Sequence, residues 1–442
     1  MRLPPLGLLY LASYLERHGV GVRVIDPLSQ GREDYRSDSP YTGITCMSTQ
    51  FGKASEIARK VKAENPETVT IMGGVHPTVA QWDASSDPNV DVVVVGEGER
   101  ALLKIVREKI TEGTVHGERI ENIDEIPMPA RHLVDMGWYT KRDGIVIPEW
   151  LRATSVITSR GCQFHCNYCI NSKREMFGNR VRYHSAGYVT REVEQLASEY
   201  GIEGIFFTDD NFTSNRNRLI EICDGIRGLG LRWNYASRVD TVNGEMLEAM
   251  KDAGCVSVGF GVESGSQRVL DALNKHARIE DAVRAFDLCR DAGIKTWAFI
   301  IIGNPEETRE DIDLTDRLLQ RIRADFVGVS YLTPYMGTVI YDQAREQGWM
   351  LREDTSWFLD EPQMAINFTF EELVEIRNRL VHRHNSKLRT LRNYAKNPRF
   401  VYDALRIVAG NPSLLFKFMG SAGGSFETSI AHRQAKKQVN SA

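Results

Sequence analysis

Apolar residues change rhythm repeatedly along the first quarter of the chain. The stretch Leu6–Leu15, interrupted by Ser13 and Tyr14, reads as an amphipathic helix over 6–19 that stops at Gly19. Val22–Asp26 is a short β-branched strand, and Ile44–Met47 is another. Residues 53–64 return to helical spacing and stop near Pro66. Val69–Met72 is a strand ending in Gly73-Gly74, Asp91–Val95 is one ending in Gly96, and a helix over 99–110 follows. Continuous apolar strands separated by helices predict a parallel sheet covered on both faces. This is a doubly wound domain, whose ligand lies outside the carboxyl ends of the strands. Such a domain opens on a strand, whereas this chain opens on a helix. The first strand is therefore expected to be missing from this chain, or the domain to be shortened.

Residues 111–150 are mixed in pattern and carry Pro127, Pro129 and Pro148, so 126–150 is read as a linker. From Ala153 the alternation restarts with a longer period. Strands are expected at 153–158, 204–208, 233–237, 256–262, 296–302 and 326–332. Helices are expected between them, at 188–200, 214–228, 243–253, 279–292 and 308–322. Six β/α units are too few for the closed eight-unit barrel and predict an open, partial one, with functional residues at the carboxyl ends of its strands. Past residue 345 the strand signal fades. Residues 370–395 and 399–409 read as charged helices, and the end as a loose polar tail. The organisation is then an α/β domain over 1–125, the linker 126–150, a partial barrel over 151–345 and a helical region over 346–442.

Composition narrows the function classes. The 442 residues balance 55 Lys and Arg against 59 Asp and Glu, a net charge of −4 that gives no bulk attraction for nucleic acid. No apolar run approaches the ~18 residues of a membrane span, and Met1-Arg2-Leu3-Pro4-Pro5 does not open a signal peptide. A cytoplasmic location is expected. Seven cysteines are an odd number: Cys46, Cys223, Cys255 and Cys289 are scattered in apolar or helical settings and read as buried thiols. The other three lie within eight residues.

That group is Cys162-Gln-Phe-His-Cys166-Asn-Tyr-Cys169, directly after the first barrel strand. Thiolates are the soft ligands that iron–sulfur clusters use. Three of them on one tight loop hold three irons of a cubane and leave the fourth open for chemistry. Structural zinc wants four protein ligands, usually in two pairs. Here no second pair follows, and His165 lies inside the loop. The C-x-x-x-C-x-x-C spacing after a strand, with an aromatic before the last cysteine, resembles the signature of radical S-adenosylmethionine (SAM) enzymes. The resemblance implies a 4Fe–4S cluster on Cys162, Cys166 and Cys169 that binds SAM at its open iron and yields a 5′-deoxyadenosyl radical.

The same resemblance assigns the other strand ends. Phe207-Thr-Asp209-Asp210-Asn211 stands where the family contacts the SAM amino group, though the family's usual Gly-Gly-Glu is absent; either aspartate fits, and a helix cap by Asp210 or Asn211 is the alternative. Arg238 is a candidate for the SAM carboxylate or a substrate acid, with a structural ion pair as the alternative. Glu263 and Ser264, after an apolar strand, resemble the residues that meet the SAM ribose or amine; the alternative is a helix cap. Gly303 closes a strand that resembles the adenine-binding one.

The first domain lacks Gly-x-Gly-x-x-Gly. Its Pro4-Pro5-Leu-Gly-Leu, Thr45-Cys-Met-Ser48, Gly73-Gly74-Val-His76-Pro-Thr and Gly96-Glu97-Gly-Glu segments resemble the cobalamin-binding domain of cobalamin-dependent radical SAM enzymes. The resemblance makes Thr45, Ser48, Gly73, Gly74, His76, Gly96 and Glu97 candidate cobalamin contacts. No Asp-x-His-x-x-Gly occurs, so that motif offers no histidine to cobalt, and His76 is the nearest polar candidate, or else an ordinary loop histidine. The implied activity is methylation of an unactivated carbon in a small-molecule or natural-product substrate, with electrons from a flavodoxin- or ferredoxin-type donor. Ring formation, rearrangement or oxidation by the same radical, with or without cobalamin, is the alternative outcome. A non-catalytic iron–sulfur or zinc scaffold is the alternative class.

Overall fold

The computed structural model describes residues 3–31, 35, 39–140, 151–173, 175–351 and 361–385. Its first sheet has four parallel strands in chain order: β1 (Tyr41–Thr45), β2 (Val69–Gly73), β3 (Val92–Gly96) and β4 (Gly113–Gly117). Alternate side chains feed two cores. Met72 and Val93 pack with Ala54 and Ala58 of the helix Phe51–Glu64. Ile71, Val92 and Val94 pack with Ala101 and Ile105 of the helix Gly98–Glu108. Both faces are thus covered, as continuous apolar strands require.

Two elements differ from the sequence expectation. Val22–Asp26 is not a strand; Val24 instead packs with Leu6, Leu9, Tyr10, Ile120, Ile123 and Ile126 beneath the helix Leu6–Arg17. Its β-branched character serves packing rather than a ladder. Conversely, β4 falls in the stretch read as mixed. It has glycine at both ends and buries only Val115, so it carries no apolar run to betray it. The following chain wraps the first helix: Ala130 N–H donates to the Leu9 carbonyl (3.0 Å) and Ser13 Oγ to that of Pro127 (3.2 Å).

The second sheet has six parallel strands, β5 (Ala153–Val156), β8 (Gly204–Phe207), β9 (Arg232–Arg238), β10 (Cys255–Glu263), β11 (Lys295–Ile302) and β12 (Phe326–Tyr331), again in chain order. The helices Ala186–Tyr200, Arg216–Ile226, Gly244–Asp252, Ile279–Ala292 and Arg309–Ile322 connect successive strands from β5–β8 to β11–β12. Phe207, Trp233, Tyr235, Phe260 and Phe286 fill the space between sheet and helices. The barrel does not close; β5 and β12 are its edges. The helix Phe370–His384 lies along β12, where Arg377 Nε donates to the Val329 carbonyl (2.9 Å) and the Asn385 amide bonds the Val327 backbone twice. Covering an edge in this way removes a row of unpaired backbone groups from solvent. The helix expected at 399–409 lies outside the described residues. Between β5 and β8 runs a two-stranded antiparallel ribbon, β6 (Ser159–Arg160) and β7 (Arg182–Tyr183), whose arms enclose the cysteine loop. Among the described residues no helix is long and apolar enough to cross a membrane.

Candidate functional site

The cysteine loop leaves β6 through Gly161 at φ +88°, a conformation that suits glycine. Cys166 is buried, while Cys162 and Cys169 are half-exposed. Cys169 N–H donates to the Cys166 carbonyl (3.0 Å), which tightens the turn. The loop is pinned from below by the segment after β10. Asn167 N–H reaches the Leu273 carbonyl (3.0 Å), its amide reaches that of Ala272 (3.0 Å), and Asn274 Nδ2 donates to the His165 carbonyl (2.7 Å). Burial pushes the Cys169 thiol up to about 11 and the Cys162 thiol up as well, with Asp210 and the neighbouring thiols adding to both. Such thiols ionise only beside positive charge. Among the described residues no three His, Cys, Asp or Glu side chains converge on one ion-sized point. Three thiolates on one short loop are the donor set that iron–sulfur clusters use, whereas structural zinc takes four protein ligands.

The two aspartates after β8 part company. Asp209 is buried and turns back onto the start of the cluster arm, accepting from Thr158 N–H (3.2 Å), Thr158 Oγ1 (2.8 Å) and Ser159 Oγ. Asp210 is exposed, accepts from Asn171 Nδ2 (3.1 Å) and lies in the electrostatic field of Cys162 and Cys169. Arg238, at the end of β9, donates Nε and Nη2 to the Asp240 carboxylate (2.9 and 2.7 Å), Nη2 to the Lys275 carbonyl (2.5 Å) and Nη1 to Cys166 Sγ (3.5 Å).

Glu263 stands at φ +66°, where a residue with a Cβ is strained, and a register shift in β10 precedes it. Its buried carboxylate accepts from Lys275 Nζ (2.7 Å) and Tyr168 Oη (2.9 Å). A Cβ on Gly261 would come within 2.4 Å of the Glu263 carboxylate and 3.0 Å of Lys275 Nζ, so a larger residue there would push this pair aside. Lys275 is buried too, and sequence reasoning missed it: it sits in a short turn twelve positions after Glu263, outside any periodic signal. Ser264 is turned from the opening and bonds Thr315 Oγ1 (3.3 Å). Gly303, at φ +85°, donates its N–H to Glu307 (2.7 Å). Burial pushes Glu307 up to about 7, against the pull of the Gly303 and Asn304 donors. The folded chain then holds a proton that the unfolded chain, at the ordinary 4.5, has lost. Stability should fall as pH rises from about 4.5 to about 7, by on the order of 3 kcal/mol. Denaturant titrations of Glu307→Gln across that window should show the slope removed.

In the first domain, Thr45, Gly73 and Gly96 stand at the carboxyl ends of β1, β2 and β3. His76 is buried against Phe51 (ring centroids 4.2 Å), with Nδ1 3.2 Å from Ser48 Oγ; its Nε2 makes no hydrogen bond and lies 3.3 Å from Asp83. Burial pushes it down to about 4, so it is neutral at pH 7. Gly74 has φ +105°, and a Cβ there would lie 2.6 Å from Thr45 Oγ1 and 3.0 Å from the Cys46 carbonyl. Glycine at this position lets the end of β2 pack against Thr45 and the Cys46 backbone and sets the turn that carries His76. Gly74→Ala should lower stability by about 1–3 kcal/mol, read by thermal melting.

Glu97, by contrast, is engaged across the domain boundary. It pairs with Arg182 of β7 and lies 3.5 Å from Arg160 of β6, which also pairs with Glu99 (2.5 Å). Arg182 further donates to the Ile120 carbonyl (2.8 Å). The other rim meets at Gly337, where a Cβ would touch Val79 at 2.6 Å. The carboxyl ends of both sheets thus border the cysteine loop.

A family model described as the radical SAM superfamily matches residues 156–319, and one described as the B12 binding domain matches residues 1–106. An uncharacterized methyltransferase of Pyrococcus horikoshii is 34% identical over 404 residues, 84% of this chain and 86% of its own. This chain belongs to the radical SAM superfamily. The radical SAM enzyme OxsB, solved with aqua-cobalamin and SAM, superimposes with a TM-score of 0.68 at 18% identity over 99% of this chain and 74% of OxsB. The radical SAM methyltransferase TsrM of Kitasatospora setae, solved with cobalamin and a 4Fe–4S cluster, gives 0.65 at 19% identity over 79% and 73%. Those likenesses show a shared fold. The present radical SAM enzyme joins a B12-binding domain to the radical SAM core, and its cofactors are a 4Fe–4S cluster, SAM and cobalamin.

Proposed function

We propose that this radical SAM enzyme methylates an unactivated carbon of a small-molecule substrate, using its cobalamin. The observation that carries the reading is the meeting of the two domains: Glu97 and Glu99, just beyond β3, grip Arg160 and Arg182 on the arms of the cysteine loop. A cofactor at the ends of β1–β3 and one on the cysteines then share a single cleft. When bound, the cluster supplies one-electron cleavage of SAM to a 5′-deoxyadenosyl radical, and cobalamin supplies a methyl carrier. The chain's own part is to hold and orient. Cys162, Cys166 and Cys169 hold the cluster. Asp210 accepts hydrogen bonds from the SAM ammonium, while Asp209 fixes the loop start. Glu263, Lys275 and Tyr168 present a charged floor to the ribose and carboxylate; Ser264, tied to Thr315, shapes the turn that carries Glu263. The Gly303 backbone meets the adenine. Thr45, Ser48, Gly73, Gly74, His76 and Gly96 line the cobalamin slot, with Glu97 beneath it.

A flavodoxin- or ferredoxin-type protein is the electron donor, and the cytoplasm, which keeps thiols reduced, is the compartment this chemistry suits. Reconstitution under anaerobic conditions with iron, sulfide and hydroxocobalamin tests the reading. Stoichiometric corrin absorbance is expected. With the correct substrate, 5′-deoxyadenosine and S-adenosylhomocysteine should accumulate together. Release of 5′-deoxyadenosine without S-adenosylhomocysteine would point instead to ring closure or oxidation.

A further inference from the structure

From the sequence, Arg238 is a candidate for the SAM carboxylate or a substrate acid, with a structural ion pair as the alternative. The geometry points to a third role: we propose that Arg238 sets how readily the cluster on Cys162, Cys166 and Cys169 is reduced. Four of its five N–H donors are assigned within the protein, to Asp240 twice, to the Lys275 carbonyl and to Cys166 Sγ at 3.5 Å. It is therefore not free to clasp a SAM carboxylate with its fork. Its guanidinium carbon lies 3.6 Å from the centroid of the Phe164 ring, inside the cysteine loop, so stacking fixes the plane from which Nη1 addresses the sulfur. The side chain is buried, with 6% of its surface exposed, which leaves its charge little screened.

Reduction moves one electron from a flavodoxin- or ferredoxin-class donor onto the cluster, with no proton. The added negative charge spreads over the sulfurs, Cys166 among them. A fixed cation with an N–H directed at that sulfur favours the reduced form, and hydrogen bonds to sulfur and net charge are known levers on cluster potentials. Asp240 holds the guanidinium in place while offsetting part of its charge. This inference rests on the cluster assignment and is independent of methyl transfer.

The test is a redox titration of the reconstituted full-length enzyme without SAM, followed by the electron paramagnetic resonance of the reduced cluster. Arg238→Gln should keep full iron and sulfide content and shift the reduced-to-oxidised ratio at a fixed potential at least tenfold towards oxidised, about 59 mV for one electron. Arg238→Lys should shift it the same way by less. Asp240→Asn should shift it the opposite way, because a countercharge is lost. A residue that only braces the loop would change iron content and leave the midpoint alone. Wild-type midpoints in loaded Arg238→Gln or Arg238→Lys enzyme would overturn the proposal. If neither arginine variant loads, an unchanged midpoint in Asp240→Asn overturns it.

Discussion

Cys166→Ala will fold, hold little iron and release no 5′-deoxyadenosine from SAM above a no-enzyme control. Cys166 is the buried member of the triplet; alanine gives up the bond its thiol accepts from Arg238 Nη1 but keeps the turn, which runs through its carbonyl to Cys169 N–H. The loop itself is held by Asn167 and Asn274 against the Ala272–Asn274 turn, none of which involves the thiol. The loss is therefore chemical. With two thiolates left, the cubane loses one anchoring iron ligand and its defined open site. Iron and sulfide assays, the visible absorbance of the reconstituted protein and mass-spectrometric detection of 5′-deoxyadenosine check the three parts separately. Melting of the apo forms should differ little between variant and wild type. Robust SAM cleavage by this variant would refute the cluster assignment.

Arg182→Met carries the second large effect, on stability. Arg182 and Glu97 have side chains 5% and 2% exposed, and they join the two domains. Removing one partner of a buried pair strands the other charge, at about 3–5 kcal/mol. Arg160, 3.5 Å from Glu97 but committed to Glu99, relieves part of that, so the lower end of the range is expected. Neutralising both, as Glu97→Gln with Arg182→Met, should recover much of the loss, because buried pairs are costly to desolvate in the first place. Denaturant unfolding of the four proteins of this cycle measures the coupling directly. An additive double variant would mean that the two side chains act independently.

Most strands of both sheets were legible because they are contiguous apolar runs, as in Val92–Val95 and Phe299–Ile302, and the helices because their apolar faces repeat; β4, which buries only Val115, was not, and Val22–Asp26 shows the pattern of a strand it does not form. The cysteine triplet was legible because its three ligands are close in sequence. What was hidden depends on residues brought together from afar. Asp209 and Asp210 are neighbours with the same chemistry, and only the packing of Thr158 and Ser159 against one of them separates their surroundings. Lys275 acquires meaning from Glu263 across a strained strand end. The ribbon β6–β7 spans two residues on each arm, below any pattern a sequence can display. Glu97 read as part of a cofactor loop, but its partner lies 85 positions away on that ribbon.

That long-range grip also bears on how freely the two halves can be exchanged. A barrel expressed without residues 1–125 would present Arg160 and Arg182 beside its cysteine loop with their carboxylate partners gone. A foreign first domain would have to supply two acids at the same spacing after its third strand. The halves are thus bound to diversify together: chimeras cut at the linker should fail unless Glu97 and Glu99 travel with the barrel they were matched to.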